Sequence, residues 1–468
     1  MYYRLNNRFA FRGWKGLPYA IKVLYGIGED NKPFFCNKET YETLLKCDGK
    51  TNINEELLNG ELKNLLNTFI KQDIIECSNL PLKELEEYQK YQLYETAYMT
   101  SFLWSITGKC NYKCRHCLLS APDFKQAELN MEECKHIIKE LSTSGITSID
   151  ISGGEPFVRR DFWQIIDELS NVEIGINTIF TNGRLINEKF IEELDKRNMY
   201  PVFQISFDGA GWHDWLRGID GAEKETIRAI KLLTDSNRIV NCAMCIHKNN
   251  KDSIRDTVKL LSDIGVSNLN INAPKCMGCW ADYSKKYALT EEEEIEVIKK
   301  YIPKYFEDGA PIDIVIDGFF RGIKGKKEFI IPLIHNIKDV ERFKKYYICE
   351  TARYRAYISS EGQVMPCMGF SGSSISDKFP SLLEKSLAEI TSNSFFRDVV
   401  FTTKKQFLEN NNECRECPHL LKCDGGCSAS ALNDTDDFCG IDQKICNFHK
   451  KNFADEIRKA VPDGIIEK

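Results

Sequence analysis

Hydrophobic and polar positions alternate in a regular order along the middle of the chain, between residues 102 and 272. Short apolar runs are typical of buried strands, whereas apolar positions spaced three and four residues apart are typical of amphipathic helices. The pattern predicts six strands, at Phe102–Thr107, Ser148–Ser152, Ile174–Phe180, Val202–Phe207, Ile239–His247 and Asn268–Asn272. It predicts five intervening helices, at Met131–Ser144, Asp161–Leu169, Asn187–Lys196, Glu223–Asp235 and Asp252–Ile264.

This alternation of strands and helices determines the predicted fold class. Strands that follow one another through helices form parallel sheets with right-handed crossovers. We therefore predict an α/β domain over residues 96–280, folded as a partial (β/α)6 TIM-like barrel. In such folds the functional site lies at the carboxyl ends of the strands.

The segments on either side of the predicted barrel have different patterns. Residues 281–345 are charged and helical in pattern, as expected of a bridging segment. Residues 346–468 form a C-terminal cysteine-rich domain, which begins with a predicted hairpin around Glu361 and Gly362. Residues 1–95 are predicted to form a small α+β domain, with helices at Glu39–Cys47 and Glu61–Lys71, an apolar run at Ile74–Cys77 and a linker helix at Lys83–Glu95.

Composition and charge narrow the classes of function. The 468 residues carry a formal net charge of -6 at pH 7, which gives no reason to expect nucleic acid as a partner. The sequence contains no run near the roughly 18 apolar residues of a membrane span, so no membrane partner is expected. The first twenty residues lack the apolar core of a signal peptide, which predicts a cytoplasmic location.

Cysteine is the most informative residue type, with 19 copies, and clustered thiols in a chain without a secretion signal usually bind metal. Cys110, Cys114 and Cys117 directly follow the first predicted strand. Three thiolates can hold three irons of a [4Fe-4S] cluster and leave the fourth open, whereas a structural zinc site takes four ligands. His116 is a poor fourth zinc ligand because it is adjacent to Cys117, and a disulfide would leave one cysteine over.

The spacing C-x3-C-x2-C after a first strand resembles the signature of the radical S-adenosylmethionine superfamily. One departure is His116, at a position where relatives commonly have a larger aromatic residue. Two adjacent glycines after the second strand let the backbone approach a ligand closely. The resemblance implies binding of S-adenosyl-L-methionine (SAM) by the GGEP turn and by three further residues, namely Gly153, Gly154, Glu155, Pro156, Asn182, Ser206 and Arg217.

The same resemblance implies a reaction. Glu155 would accept hydrogen bonds from the methionine amino group, and Arg217 would pair with the SAM carboxylate unless it is an exposed charge on a loop. The family cleaves SAM reductively to a 5′-deoxyadenosyl radical, which abstracts hydrogen from carbon. This chemistry implies an electron donor, such as a flavodoxin or a ferredoxin.

The last quarter of the chain has a second cysteine pattern, which resembles the SPASM domain with its two auxiliary [4Fe-4S] clusters. By this resemblance Cys414, Cys417, Cys423 and Cys446 hold the outer cluster, and Cys349, Cys367 and Cys427 hold the inner one. The total would then be three clusters. Residues 350–366 contain no cysteine, so the inner cluster is expected to keep an open iron. Cys439 is an alternative to Cys446 or an eighth ligand.

Four further cysteines lie on or after the last two predicted strands. Cys276 and Cys279, after the sixth strand, are candidate hydrogen-atom donors to a substrate radical, or else buried structural thiols. Cys242 and Cys245 have opposite parity on the fifth strand, so one of them points into the barrel and the other away from it.

The order of elements before the barrel resembles the winged-helix-like modules that precede SPASM maturases of ribosomally made peptides. Those modules recognise a leader peptide by adding it as a β-strand. We therefore expect a precursor peptide, leader plus core, as the substrate and thioether cross-links from cysteine sulfur to carbon as the product. The alternatives are α-carbon epimerisation, carbon–carbon cross-linking and formylglycine formation of the sulfatase-maturase type. A different class is a non-catalytic iron–sulfur electron carrier or a zinc-stabilised scaffold.

Overall fold

The computed structural model describes residues 1–23, 33–119 and 128–468. Its N-terminal unit is an α+β domain, as predicted, with two sheets ordered β5-β1-β6 and β4-β3-β2-β7. The unit contains strands β1 Tyr2–Leu5, β2 Phe9–Trp14, β3 Leu17–Val23, β4 Phe34–Phe35, β5 Asp48–Asn52, β6 Ile75–Ser78 and β7 Gln92–Tyr94, and helices α1 Lys38–Leu44 and α2 Gly60–Lys71. Its likeness to a winged helix stays a prediction.

The predicted linker helix over Lys83–Glu95 is wrong. This segment is extended, with a short 3-10 turn at Glu87–Gln89 and the strand β7, which pairs in parallel with β2. The fully buried Gln89 amide donates to the carbonyls of Leu5 and Asn6 at 3.1 and 3.0 Å. These tertiary hydrogen bonds replace the ones that a helix would have made within itself.

The six strands and five helices predicted for the barrel are all present, with ends shifted by at most two residues. The strands are β8 Ser101–Ser105, β9 Ser148–Ser152, β10 Gly175–Thr181, β11 Val202–Ser206, β12 Val240–Cys245 and β13 Asn268–Asn272. The helices are α3 Met131–Thr143, α4 Phe162–Asn171, α5 Glu188–Lys196, α6 His213–Arg217, α7 Ala222–Asp235 and α8 Ile254–Asp263. The short helix α6 was not predicted.

The segment 281–345 is helical only in part, which corrects the expectation of a helical bridge. It contains helices α9 Ala281–Tyr287, α10 Glu291–Glu307 and α11 Val340–Lys344, and strands β14 Asp313–Ile316, β15 Phe320–Gly322 and β16 Glu328–Ile330. Strand β14 pairs in parallel with β13, so it continues the sheet of the barrel. The short apolar run Ile312–Ile316 was the signal for this strand.

The C-terminal region is built from short helices and three strands. They are β17 Arg355–Ile358, β18 Val364–Met365, β19 Ile466–Glu467, α12 Leu387–Ser392, α13 Phe395–Val400, α14 Lys404–Asn410, α15 Asn412–Arg415, α16 Leu420–Cys423, α17 Ser428–Thr435, α18 Gln443–Lys450 and α19 Phe453–Ala460. The predicted hairpin is confirmed, because β17 and β18 pair antiparallel. Gly362 in its turn has a φ of 84°, which favours glycine.

One sheet unites the barrel with its C-terminal neighbours, in the order β18-β17-β8-β9-β10-β11-β12-β13-β14-β15-β16-β19. Strand β17 pairs in parallel with β8, so the cysteine-rich region joins the barrel beside its first strand. The N-terminal unit also contacts the barrel, where the buried Lys22 ammonium donates to Thr147 Oγ1 at 3.0 Å. Within the described residues, no helix has both the length and the apolar character that crossing a bilayer requires.

Candidate functional site

The cysteine loop, residues 110–117, lies at the carboxyl end of β8 and packs on the GGEP turn after β9. The backbone N–H of Gly154 donates to the Thr107 carbonyl, and that of Glu155 donates to the Lys109 carbonyl, both at 2.9 Å. A Cβ added at Gly153 would lie 2.4 Å from the Thr107 oxygen, and one at Gly154 would lie 2.3 Å from the Lys109 oxygen. The close backbone approach expected of these glycines is therefore to residues 107–109, which lead from β8 into the cysteine loop.

The other side of the loop rests on helix α6. Lys113 N donates to the Arg217 carbonyl at 3.2 Å, and Arg115 N donates to the Leu216 carbonyl at 2.9 Å. A side chain at Gly218 would lie 2.3 Å from the Lys113 oxygen. Helix α6, at the end of the fourth barrel strand, thus supports this side of the loop.

The three thiols of the loop lie close together in a largely desolvated place. Burial, together with the charges of Cys114, Glu155 and Cys117, raises the pKa of the Cys110 thiol to about 12. Thiolates crowded in this way need a nearby cation to be stable. Iron would supply that charge, so the donor set fits the cluster that the spacing predicts.

Glu155 is fully buried at the centre of the predicted SAM site. Its carboxylate accepts hydrogen bonds from Thr181 Oγ1 at 2.9 Å, from Asn182 N at 2.8 Å and from Phe157 N at 3.2 Å. Burial nevertheless raises the pKa of Glu155 to about 7, because these neutral donors offset only part of the desolvation. A buried carboxylate bonded to neutral groups suits a ligand amino group, so the residue fits the role that the resemblance implies.

The other predicted SAM residues lie around the same strand ends. The Asn182 side chain donates to Asn111 Oδ1 at 2.7 Å, which ties the turn after β10 to the cysteine loop. Ser206 ends β11 and is half-buried on the face opposite the core residue Ile205, so it faces the barrel interior. Pro156 is buried at the start of a 3-10 turn.

Arg217 is buried, which excludes an exposed charge on a loop. Its guanidinium donates to both carboxylate oxygens of Asp208, with Nε to Oδ2 at 2.5 Å and Nη2 to Oδ1 at 3.1 Å. The remaining nitrogen, Nη1, lies 3.7 Å from Cys114 Sγ. The structure therefore places this cation between Asp208 and the predicted cluster ligand Cys114.

Asp208 is a residue of the site to which sequence reasoning gave no role. It is fully buried, accepts from Cys245 N at 3.0 Å and lies 3.2 Å from His213 Nδ1. The Arg217 guanidinium holds the pKa of Asp208 well below its usual range, against the effect of burial. The signal was an acidic residue directly after a buried apolar strand, where an unpaired charge is costly.

The three cysteines assigned to the inner auxiliary cluster come together from three separate segments. Desolvation, together with the charges of Cys427 and Cys349, raises the pKa of the Cys367 thiol to about 11. Cys427 is the N-cap residue of α17, and its N–H donates to Asp442 Oδ2 at 3.0 Å. The cysteine grouping expected from the sequence is therefore present in space.

The four cysteines assigned to the outer cluster surround one small cavity of about 30 Å³. They are Cys414, Cys417, Cys423 and Cys446. Burial raises the pKa of Cys414 to about 12, with further contributions from Cys446, Cys423 and Cys417. Cys439 instead lies in a hydrophobic cluster with Phe343 and Phe407 and is 5% exposed.

The cysteines on and after the last barrel strands occupy different environments. Cys242 is fully buried in the main core, whereas Cys245 is half-buried and has its sulfur within 4.8 Å of His116 and Asp208 ligand atoms. The N–H of Cys279 donates to the Cys117 carbonyl at 3.0 Å. Cys276 is exposed.

A cavity of about 670 Å³ separates the barrel from the C-terminal domain. Its walls include Cys276 and its neighbour Lys275 on the barrel side, and Cys427 and Asp434 on the other side. Lys275 Nζ also donates to Ser430 Oγ across this boundary. The cavity therefore extends from the end of strand β13 to Cys427 of the inner set.

Comparison with known proteins agrees with this geometry. Residues 104–261 match the Radical SAM superfamily, and residues 349–418 match the SPASM iron–sulfur cluster-binding domain. The chain is 26% identical over 335 residues to the mycofactocin maturase MftC of Mycolicibacterium smegmatis, covering 70% of this chain and 77% of that protein. It is 25% identical over 359 residues to the AdoMet-dependent heme synthase of Methanosarcina barkeri, covering 72% and 93%.

A solved structure shows a similar fold over almost the whole chain. The structure of Streptococcus suis SuiB bound to precursor peptide SuiA has a TM-score of 0.65 at 16% identity and covers 95% of this chain and 99% of that one. The cysteine loop at the first strand end, the buried glutamate of the GGEP turn and the clustered C-terminal cysteines all lie within the two matched domains or next to them. The chain is a radical SAM enzyme that carries a SPASM iron–sulfur domain.

Proposed function

We propose that this enzyme modifies a ribosomally made precursor peptide and forms thioether cross-links between a peptide cysteine sulfur and a carbon. The observation that carries the proposal is the 670 Å³ cavity, which is lined both by the end of the barrel and by Cys427 of the inner set. A peptide segment in this cavity would lie between residues 273–277, at the end of the last predicted barrel strand, and Cys427 of the inner set. The inner set has three cysteines, so one iron would remain for a substrate thiolate.

The residues of the barrel would bind and orient SAM. Cys110, Cys114 and Cys117 would hold the cluster, and the Glu155 carboxylate would accept from the methionine amino group. Ser206 lies on the interior face, where it could bond the ribose or carboxylate. When bound, SAM and the reduced cluster supply a 5′-deoxyadenosyl radical that takes a hydrogen atom from carbon.

We assign the two C-terminal cysteine groups to two auxiliary clusters, which gives three clusters in all. The outer four surround one cavity, and the inner three lie close enough for the charges of Cys427 and Cys349 to raise the pKa of Cys367. The position of Cys439 among Phe343 and Phe407 supports a structural thiol rather than a ligand.

The N-terminal unit is proposed to bind the leader of the precursor. In the described residues, β4 is the last strand of its four-stranded sheet, and Phe34 on it is 38% exposed. A cavity of about 340 Å³ beside this edge also involves Leu62 and Leu65 of α2. An extended peptide added to the edge would gain backbone hydrogen bonds and this apolar contact. SuiB, whose fold covers this unit too, has been solved with a precursor peptide.

Alpha-carbon epimerisation is the second candidate, because Cys276 is exposed on the shared cavity and could give a hydrogen atom to a substrate radical. The two reactions differ in mass. A thioether removes two hydrogens from the peptide, whereas epimerisation leaves the mass unchanged. Carbon–carbon cross-linking also removes two hydrogens, and it is separated from a thioether by whether the peptide thiol still reacts with iodoacetamide.

The test is coexpression of the chain with a cysteine-containing precursor peptide encoded beside its gene, followed by mass spectrometry. The expected product is lighter by two hydrogens per cross-link and has no alkylatable thiol at the linked cysteine. Cys427→Ala should abolish the product, while the matched variant Cys439→Ala should keep it. An unmodified peptide with the unaltered enzyme, under conditions where SAM is cleaved, would reject the proposal. A protein that never forms 5′-deoxyadenosine would instead be an electron carrier.

A further inference from the structure

Lys404 is a buried lysine of the C-terminal region, and only 2% of it is exposed. It is the first residue of α14. The N-terminal end of a helix carries a partial positive charge, so it does not favour a cation. Burial of an ammonium group is also costly unless anions lie nearby. The position of Lys404 therefore requires negative charge from its surroundings.

The neighbouring side chains supply little of that charge. The Lys404 ammonium donates to the Asp424 backbone carbonyl and lies 3.6 Å from Asp424 Oδ1. Among the described residues, this carboxylate is the only one that pairs with the ammonium, and its side chain is 33% exposed. The rings of Phe343 and Phe407 have their centres 5.7 and 5.9 Å from Nζ. One partly solvated carboxylate and two rings balance a buried cation incompletely.

The charge of Lys404 reaches thiols of both C-terminal cysteine groups. Burial raises the pKa of Cys423, which is assigned to the outer cluster, to about 11, and the Lys404 charge opposes that rise. Burial also raises the pKa of Cys349, which is assigned to the inner cluster, and the Lys404 charge opposes this rise as well. One ammonium therefore acts on ligands of two different predicted clusters.

The segment that joins the two cysteine groups folds closely around the ammonium. Residues 424–426 link the outer ligand Cys423 to the inner ligand Cys427, and all three have left-handed φ values, of 53°, 76° and 76°. A Cβ added at Gly425 would lie 3.3 Å from Lys404 Nζ. The lysine thus packs against the turn that leads from one predicted cluster to the other.

We propose that the Lys404 ammonium is a shared counter-charge that raises the reduction potentials of both auxiliary clusters. The inference rests on the proposed function in that the two cysteine groups hold clusters. A cluster with thiolate ligands gains a further negative charge when it is reduced, so a nearby cation stabilises the reduced form. The thiolate-bound clusters would in turn be the anions that the buried lysine lacks.

A raised potential is useful in the proposed reaction. Thioether closure joins a carbon radical to a thiolate, and the new carbon–sulfur bond leaves one electron over. A higher potential favours transfer of this electron to an auxiliary cluster, which is reduced by one charge. Lys404 would therefore be a positioning residue that acts through the clusters and does not touch the peptide.

The test is a redox titration of the full-length reconstituted enzyme without SAM or peptide, followed by electron paramagnetic resonance. The chain with Cys110, Cys114 and Cys117 changed to Ala identifies the auxiliary signals. Lys404→Met removes the charge and keeps an unbranched side chain of similar length. The matched control is Lys405→Met on the same helix, because 68% of the Lys405 side chain is exposed.

Lys404→Met should move both auxiliary clusters roughly ten-fold toward the oxidised form at a fixed potential, which is a fall of about 59 mV for a one-electron couple. Lys405→Met should move neither, because water screens its charge. Asp424→Asn should raise both potentials, since the ammonium then lacks its partial neutralisation. Asparagine tolerates the left-handed φ of 53° at this position, and the carbonyl that accepts from Lys404 remains.

Unchanged auxiliary potentials in Lys404→Met at full iron content would overturn the proposal, and a shift of one cluster alone would overturn the shared role. If Lys404→Met binds less iron, Asp424→Asn decides: a rise of both potentials supports the proposal and no rise rejects it. About four irons per unaltered chain, instead of about twelve, would reject the auxiliary clusters themselves. Peptide modification is measured separately, so the proposed reaction can stand when the potentials do not shift.

Discussion

The contact between Arg217 and Cys114 predicts that this arginine sets the reduction potential of the SAM-binding cluster. Its Nη1 lies 3.7 Å from Cys114 Sγ, and its other nitrogens are held by the buried Asp208. A cation and hydrogen-bond donor beside a ligand thiolate stabilises the reduced, more negative cluster. Arg217→Gln should therefore lower the potential.

The size of the effect follows from the two opposite charges. A unit charge about 4 Å away interacts by ~4 kcal/mol at an effective dielectric constant of about 20. The Asp208 carboxylate lies behind the guanidinium and cancels much of this, which leaves about 1–2 kcal/mol. For a one-electron couple this is roughly 40–90 mV. Asp208→Asn removes the cancelling charge, so it should raise the potential by a similar amount.

The assay is a redox titration of the reconstituted enzyme without SAM, followed by electron paramagnetic resonance. A variant with Cys110, Cys114 and Cys117 all changed to Ala identifies the signals of the auxiliary clusters. The prediction is a shift of opposite sign for Arg217→Gln and Asp208→Asn at equal iron content. Shifts in the same direction, or no shift in either variant, would refute the electrostatic reasoning and leave the pair a structural support.

Three further predictions concern the site and the C-terminal domain. Gly154→Ala should lose about four irons per chain, because its Cβ would lie 2.3 Å from the Lys109 carbonyl, directly before Cys110, and would displace the cysteine loop. Gly60→Ala, where the added Cβ meets open space, should lose none. The Glu155→Gln variant should become more stable than the unaltered protein as pH rises from about 4.5 to 8. The difference in unfolding free energy should reach about 3 kcal/mol at most, measured by anaerobic thermal unfolding without SAM. Cys439→Ala should keep its iron and lose about 1 kcal/mol of stability, whereas Cys446→Ala should lose about four irons.

The sign of the pH effect follows from the raised pKa of Glu155. The Glu155 carboxyl contributes fully to stability below pH 4.5, the pKa it has in the unfolded chain, and this contribution is lost as pH rises through about 7. If the difference in unfolding free energy between Glu155→Gln and the unaltered protein stayed constant from pH 4.5 to 8, it would contradict the predicted sign. Full iron in Gly154→Ala would contradict the packing of the glycine turn on the loop. Loss of four irons in Cys439→Ala would return that thiol to the ligand set.

Much of the fold could be predicted because the barrel repeats a strong local pattern. The strands Ser148–Ser152 and Asn268–Asn272 were predicted to the residue, since each is a short apolar run closed by turn signals. The segment Lys83–Glu95 could not be predicted, because the buried amide of Gln89 bonds carbonyls that are distant in sequence. Local composition there favoured a helix, and the tertiary hydrogen bonds decided otherwise.

The candidate site, like the fold, could be predicted from the sequence only in part. The resemblance to the SPASM domain was enough to group Cys414, Cys417, Cys423 and Cys446, which surround one cavity in the structure. The pairing of Arg217 with Asp208 depends on how the short helix α6 folds back on the end of β11, and no spacing rule contains that contact. The cavity between the domains could not be predicted either, because its walls come from segments that are far apart in the chain.

The most direct test of the whole account is the transfer of deuterium from peptide to SAM. The reconstituted enzyme is given SAM, a reductant and a precursor peptide whose core residues are deuterated on carbon. We expect 5′-deoxyadenosine that contains deuterium, together with a peptide that has lost two hydrogens for each cross-link. Deuterium-free 5′-deoxyadenosine and an unchanged peptide, in the presence of the full-length cognate precursor, would contradict a radical enzyme that acts on this peptide.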